Sequence, residues 1–134
     1  MLIKIKNEIH KVAKLTITFS KKMKYIIPTK LVGVTFSNSI GIPRQTLLKA
    51  IPPNPALTDF EILAEPDNQY DKNSHLVFYK RQDIGHINKD LSAELVTKKS
   101  NGERILGITS CQVTGGENKK SLGLNITIQM EQTP

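Results

Sequence analysis

Apolar positions change their period several times along the chain, and each change marks an element. Over residues 1–14, Leu2, Ile5, Ile9, Val12 and Ala13 recur at helical spacing with lysines between them, which predicts a short amphipathic basic helix. Residues 15–19 (LTITF) alternate and predict a strand, and the KKMK run at 21–24 reads as a connector, with Met23 leaving open that 1–22 is an extension of a domain that begins near Tyr25. LVGVTF (31–36) is a β-branched run with Gly33 inside it, which predicts a strand with a bulge or a close backbone approach. Pro43 opens a predicted helix over 44–51, with Leu47, Leu48 and Ile51 as its apolar face, and PPNP (52–55) stops it.

Residues 59–65 (DFEILAE) set Phe60, Ile62 and Ala64 against acidic neighbours, the pattern of a half-buried strand. A polar loop follows at 65–74, then two short strands, HLVFY (75–79) and DIGHI (83–87), around a KRQD turn. Asn88 or Asp90 caps a predicted helix over 89–99 that turns Leu91, Leu95 and Val96 inward and ends at Asn101-Gly102. RILGITSCQV (104–113) and SLGLNITIQM (121–130) read as two long strands joined through TGGENKK, whose glycines permit positive φ.

Five or six short strands and two short helices make the chain mainly β, and the short links fit a small, partly open antiparallel β-barrel. The expected organisation is a basic N-terminal extension over 1–29, a barrel domain over 30–131 and a tail at 132–134. At 134 residues, 38% hydrophobic and 23% charged, the chain has the size and composition of one globular domain. No apolar run approaches the length of a membrane span, and lysines interrupt the N-terminal segment where a signal peptide would be apolar. The expectation is a cytoplasmic protein with no membrane partner.

The net charge of +7 is unevenly placed. Residues 1–30 carry eight lysines against Glu8 alone, whereas residues 31–134 carry 11 basic and 11 acidic residues. The excess therefore belongs to the leader, which is either a solvated basic segment or a contact for a polyanion.

Several chemistries are disfavoured. Cys111 is the single cysteine, so the chain has no internal disulfide and no cysteine-pair zinc site. His10, His75 and His86 stand at no metal-ligand spacing, and no metal or cofactor is expected. GGENKKS (115–121) lacks the glycine before lysine that a phosphate-binding loop needs. Cys111 lies mid-strand among apolar residues and reads as core rather than nucleophile. Asp67, Asn68, Asp71 and Asn73 suggest a calcium loop, but Lys72 occupies the position that such a loop gives to glycine. Asp67, Asp71 and His86 would make an incomplete metal-nuclease set, with no third carboxylate obviously placed.

Two segments hold more special residues than plain connectors need: EPDNQYDKNS (65–74) and IGHINKDL (84–91). With Val32-Gly33-Val34 and Arg44-Gln45 ahead of them in the same order and approximate spacing, the chain resembles the HIRAN domain family over about residues 30–130. The resemblance implies an OB-like barrel with a pocket for the 3′ end of single-stranded DNA. In relatives such a domain fronts Swi/Snf-type fork-remodelling ATPases, and it also occurs alone in small bacterial and phage proteins. A stand-alone copy would leave any motor or cleavage step to a separate ATPase, helicase or nuclease.

The resemblance gives the residues roles that make physical sense. Phe36 and Tyr70 would sandwich a terminal base, each stack contributing about 1–3 kcal/mol regardless of sequence. Asp71 would accept a hydrogen bond from a terminal hydroxyl and repel a 3′-phosphate. His86 and Lys89, around the start of the second helix, would hold phosphate. Asn68 would fix the loop or touch the end nucleotide. Thr35 stands where relatives tend to carry a basic residue, and Ser37 where they carry a further aromatic. Each residue also has an ordinary reading: Phe36 as core, Tyr70 packed on the loop base, Asp71 closing an Asx-turn, His86 a satisfied barrel-end histidine, Lys89 a solvated lysine. The reading from sequence is a non-enzymatic binder of single-stranded DNA ends with a preference for a free 3′-hydroxyl. The alternatives are a protein-interaction module with a degenerate DNA pocket and, less favoured, a component of a metal-dependent nuclease.

Overall fold

The computed structural model describes residues 22–118 and 121–133, so the helix expected over 1–14 and the strand expected over 15–19 lie outside the described residues. Six strands and two helices follow in the order β1 (Met23–Lys30), α1 (Arg44–Lys49), β2 (Phe60–Ala64), β3 (His75–Tyr79), β4 (Gln82–His86), α2 (Lys89–Ser100), β5 (Arg104–Gly115) and β6 (Leu122–Gln132), with a 3₁₀ turn at Leu57–Asp59. The mainly β class with two short helices is as expected. The strands form two antiparallel three-stranded sheets, β1-β6-β5 and β2-β3-β4. The expected barrel is thus two hydrogen-bonded sheets around one core, with no continuous closed ladder among the described residues.

Within the β5–β6 hairpin, β6 follows from its alternation, whereas bulges after Ile105 and Ile108 interrupt that of β5. Leu124, Ile126, Ile128 and Met130 are fully or almost fully buried, while Asn125 between them is exposed. Burial of each such side chain stabilises by roughly 1.5–3 kcal/mol. On the other sheet, central β3 buries His75, Leu76, Val77 and Tyr79, and the Tyr79 ring lies 4.8 Å from that of Phe60. Leu48 of α1 and Leu95 of α2 close the same core. Asn88 caps α2 by accepting the Leu91 amide at 2.9 Å. Leu91 and Leu95 face inward, but Val96 is exposed, because one residue past Leu95 lies about 100° further round the helix. Cys111 is half-buried against the core, and burial pushes its thiol pKa up, away from nucleophilic character.

Two stretches differ from expectation. Residues 23–30, read from sequence as connector and extension, form an edge strand paired to β6 from Met23↔Gln132 to Lys30↔Asn125. Lysines had hidden a period of two: Tyr25 and Ile27 face the core, and Lys24, Ile26, Pro28 and Lys30 face outward. Pro28 is tolerated because the strand is an edge. In the opposite sense, LVGVTF (31–36) is no strand. Leu31 donates its amide to Leu124 of β6 at 2.9 Å, and Val32 forms an isolated bridge to His86 at the end of β4. Gly33 then turns the chain at φ +73°, a region in which a strand cannot continue. This two-residue seam stitches one sheet to the other, and the candidate site is built on it. No helix among the described residues is long and apolar enough to cross a membrane.

Candidate functional site

The seam begins with two backbone bonds, Val32 N–H to His86 O and His86 N–H to Val32 O, both 2.9 Å. They need glycine at position 85. A Cβ there would stand 3.0 Å from the Val32 carbonyl oxygen and 3.2 Å from both Leu31 Cδ1 and Val34 Cγ1. Past the seam, the Phe36 amide donates back to Gly33 O at 3.3 Å, closing a turn that carries Thr35 and Phe36 outward. The space beside the bare Gly33 Cα is the centre of the site. A Cβ there would lie 3.2 Å from Arg44 Nη1, 3.5 Å from His86 Nδ1 and 4.0 Å from Phe36 Cδ2. A guanidinium, an imidazole and an aromatic ring therefore meet around one glycine.

Arg44 supports this arrangement from below. It is buried, donates Nη1–H to Gly33 O at 3.0 Å and pairs through Nη2 with Asp83 Oδ2 at 2.6 Å, while its Nε is buried without a partner among the described residues. Asp83 also accepts the Ser39 hydroxyl at 2.6 Å. Burial alone would raise the Asp83 pKa, but its bonds to Arg44 and Ser39 outweigh this and hold the carboxyl below its usual value. Asn38 shapes the adjoining loop by accepting the Ile40 and Ile42 amides at 3.1 and 2.9 Å. Phe36 on this segment is 69% exposed. It is not a core residue.

His86 Nε2 lies 3.2 Å from Glu65 Oε1. Burial depresses the His86 pKa, and the Arg44 charge adds to that, against the opposing pull of Glu65. The ring is therefore neutral near pH 7. Glu65 Oε1 also accepts the Ser74 hydroxyl at 2.8 Å and the Asn68 amide group at 3.4 Å. Asn68 Oδ1 in turn accepts the backbone amides of Tyr70 and Asp71 at 2.8 and 3.0 Å. Asp71 Oδ1 takes the Asn73 amide at 2.9 Å, which is an Asx-turn, so one carboxylate oxygen is engaged locally and the other is left. The loop is thus closed by its own short-range bonds, and Tyr70 is 97% exposed at its tip rather than packed on the loop base.

Phe36 and His86 meet at Gly33, while Asn68 holds the backbone of Tyr70 and Asp71; Glu65 joins the two groups by bonding both His86 and Asn68. Lys89 is the exposed first residue of α2, three positions past His86, and Thr35 is exposed in the turn before Phe36. Sequence reasoning missed Glu65 as the connecting acid and the Arg44–Asp83 pair as the support. The available signal was a charged residue, Asp83, directly before Ile84-Gly85 in a short strand, but its partner lies 39 residues earlier. Asp67, Asp71 and His86 do not form a metal set: among the described residues, no three His, Cys, Asp or Glu side chains are grouped to hold an ion.

No family model and no curated protein matches the chain. Two solved structures do. The HIRAN domain of human HLTF superposes with a TM-score of 0.55 at 17% identity, over 84% of this chain and 80% of that one. A Lactobacillus plantarum protein solved as a structural-genomics target superposes with a TM-score of 0.53 at 17% identity, over 84% of this chain and all of that one. The chain has a HIRAN-like fold.

Proposed function

We propose that this HIRAN-like domain is a nucleic-acid-binding module that captures single-stranded DNA ends and prefers a free 3′-hydroxyl. The observation that carries the reading is the meeting of Phe36, His86 and Arg44 around Gly33, joined through Glu65 to the loop that presents Tyr70. Exposed aromatic rings on two separate loops are costly to leave in water and suited to unstacked bases. Phe36 and Tyr70 stack on the terminal nucleotides. Asp71 uses its second carboxylate oxygen to accept the terminal hydroxyl, and the same charge repels a 3′-phosphate. Asn68 fixes the loop that carries both residues.

Thr35 contributes a hydroxyl beside Phe36. Lys89 supplies charge for the phosphate. His86 is neutral in the free protein, and an arriving phosphate raises its pKa, so binding takes up a proton. The module performs no chemistry itself; a separate ATPase, helicase or nuclease acts on the end that it holds. The test is a fluorescence titration with short oligonucleotides that end in 3′-hydroxyl or 3′-phosphate. Tighter binding of the hydroxyl end is expected, and equal affinity removes the role of Asp71.

A second reading is favoured by Val32, Phe36 and Ile40, three exposed apolar residues on one segment. It is a protein-interaction module. Binding of a protein partner would then survive Tyr70→Ala.

A further inference from the structure

The outer face of the β1-β6-β5 sheet shares no side chain with the loop site. Strand register places Lys24, Ile26, Pro28 and Lys30 beside Glu131, Gln129, Thr127 and Asn125, and Arg104, Ser110 and Gln112 beside Glu131, Thr127 and Asn125. The alternate residues of β6, including Ile126, Ile128 and Met130, point to the core, so this set lies on the outer side of the sheet, with Lys24, Ile26, Pro28, Lys30 and Asn125 exposed and Glu131 buried.

Its charge is lopsided. Glu131 is the lone acid in the set, and Arg104 already grips it with Nε at 2.8 Å and Nη2 at 2.7 Å, with Lys22 Nζ 3.7 Å away. Lys24 and Lys30 make no ion pair with a carboxylate among the described residues. Lys30 lies across Gly123, its Cε 3.0 Å from where a Cβ would stand, so a side chain at 123 would displace it. Beside Lys30 lies a groove of about 400 Å³ whose lining includes the hydroxyl and amide side chains of Ser110, Gln112, Asn125 and Thr127 next to Pro28, Cys111 and Ile126. Its polar lining is amide and hydroxyl, with Ser110 Oγ donating to Thr127 Oγ1 at 2.8 Å and no carboxylate present. Hydroxyl and amide side chains flanked by ammonium groups are the usual contacts to sugar and phosphate oxygens. A second copy of this chain is a poor occupant, because a two-fold pairing would bring together two faces that each carry more cations than acids.

We propose that this sheet face is a second nucleic-acid surface, a sequence-independent track for the phosphodiester backbone of a single strand. The proposal stands on the face itself and does not require the end-capture reading. The test uses the full chain with a 3′-hydroxyl tetranucleotide and a 30-nucleotide strand of mixed sequence, comparing wild type, the Lys24→Glu/Lys30→Glu pair and Tyr70→Ala. The charge-reversed pair should bind the long strand at least tenfold more weakly and the tetranucleotide within twofold of wild type. Its salt slope for the long strand should fall by about 1.4, from roughly 0.7 per lost contact on a single strand. Lys24→Gln/Lys30→Gln should move both readouts the same way by less, with an unchanged thermal midpoint showing that the fold is intact.

Wild-type affinity of the charge-reversed pair for the long strand overturns the proposal and leaves the loop site untouched. A Tyr70→Ala protein that binds both oligonucleotides normally, beside a weakened charge-reversed pair, overturns the end-capture reading and supports this one. Polyglutamate of matched charge that competes as well as the long strand also overturns it, since the face would then read acidic protein.

Discussion

The loop site and the outer sheet face treat charge in opposite ways. At the loops, the cations beside the central glycine are matched or quenched: Arg44 is paired to Asp83, and His86 is kept neutral beside Glu65. What the loops expose instead is aromatic surface, Phe36 and Tyr70. On the sheet face, Arg104 and Lys22 hold the one acid, Glu131, while Lys24 and Lys30 make no ion pair among the described residues, and aromatic rings are missing among its described residues. On the proposed readings, the first region binds by shape and stacking and the second by long-range attraction. Ligand binding at the first should be specific and weakly sensitive to salt, and at the second unselective and strongly sensitive.

The largest expected effect breaks the loop region from beneath. Arg44→Ala leaves Asp83 buried without its cation and frees the Gly33 turn, so unfolding in urea should show a loss of about 3–5 kcal/mol. The sheet face would suffer only through the shared fold, and a mild change in the urea midpoint would mean that the pair is not the support described above. Tyr70→Ala comes next. It should weaken tetranucleotide binding by about 1–3 kcal/mol, up to roughly a hundredfold, with the thermal midpoint unmoved because the ring is 97% exposed. A drop in stability instead would place the ring against the protein.

A smaller effect concerns pH. His75, buried with Nε2 2.9 Å from Lys99 Nζ, and His86 are both pushed below the ordinary value of 6.5, chiefly by burial. Both fold best neutral, so their contribution is complete above about pH 6.5 and is lost as pH falls below it. Urea midpoints between pH 7.5 and 5 should fall, and His75→Gln should flatten the curve. Tetranucleotide affinity, measured where the protein is still folded, should rise over the same descent because binding protonates His86; a flat binding profile would remove the phosphate role from that ring.

What could be read from the chain alone divides along a similar line. β6 was legible by its local alternation and α2 by its Asn88 cap and Asn101-Gly102 stop, while β5 was legible as a β-branched run although bulges after Ile105 and Ile108 break its alternation. β1 was hidden by its lysines, which suit an edge strand with one solvent face but resemble a connector in text. The 31–36 run misled because its β-branched residues favour a strand, while Gly33 at positive φ and the Arg44 bond to its carbonyl end the strand after one bridge. At the site, Asn68, Tyr70 and Asp71 were legible as a loop because Asx bonds span two or three residues. Arg44–Asp83 and His86–Glu65 join distant parts of the chain, and no short window of sequence contains either pair.

The most direct test sets the strand terminus against the acid that is proposed to read it. Wild type and Asp71→Asn are each titrated with one tetranucleotide ending in 3′-hydroxyl or 3′-phosphate. The wild-type protein should prefer the hydroxyl end, and Asp71→Asn should bind the two ends alike, mainly by gaining affinity for the phosphate. A preference that survives Asp71→Asn unchanged, or one that is absent from the wild type, would contradict the account.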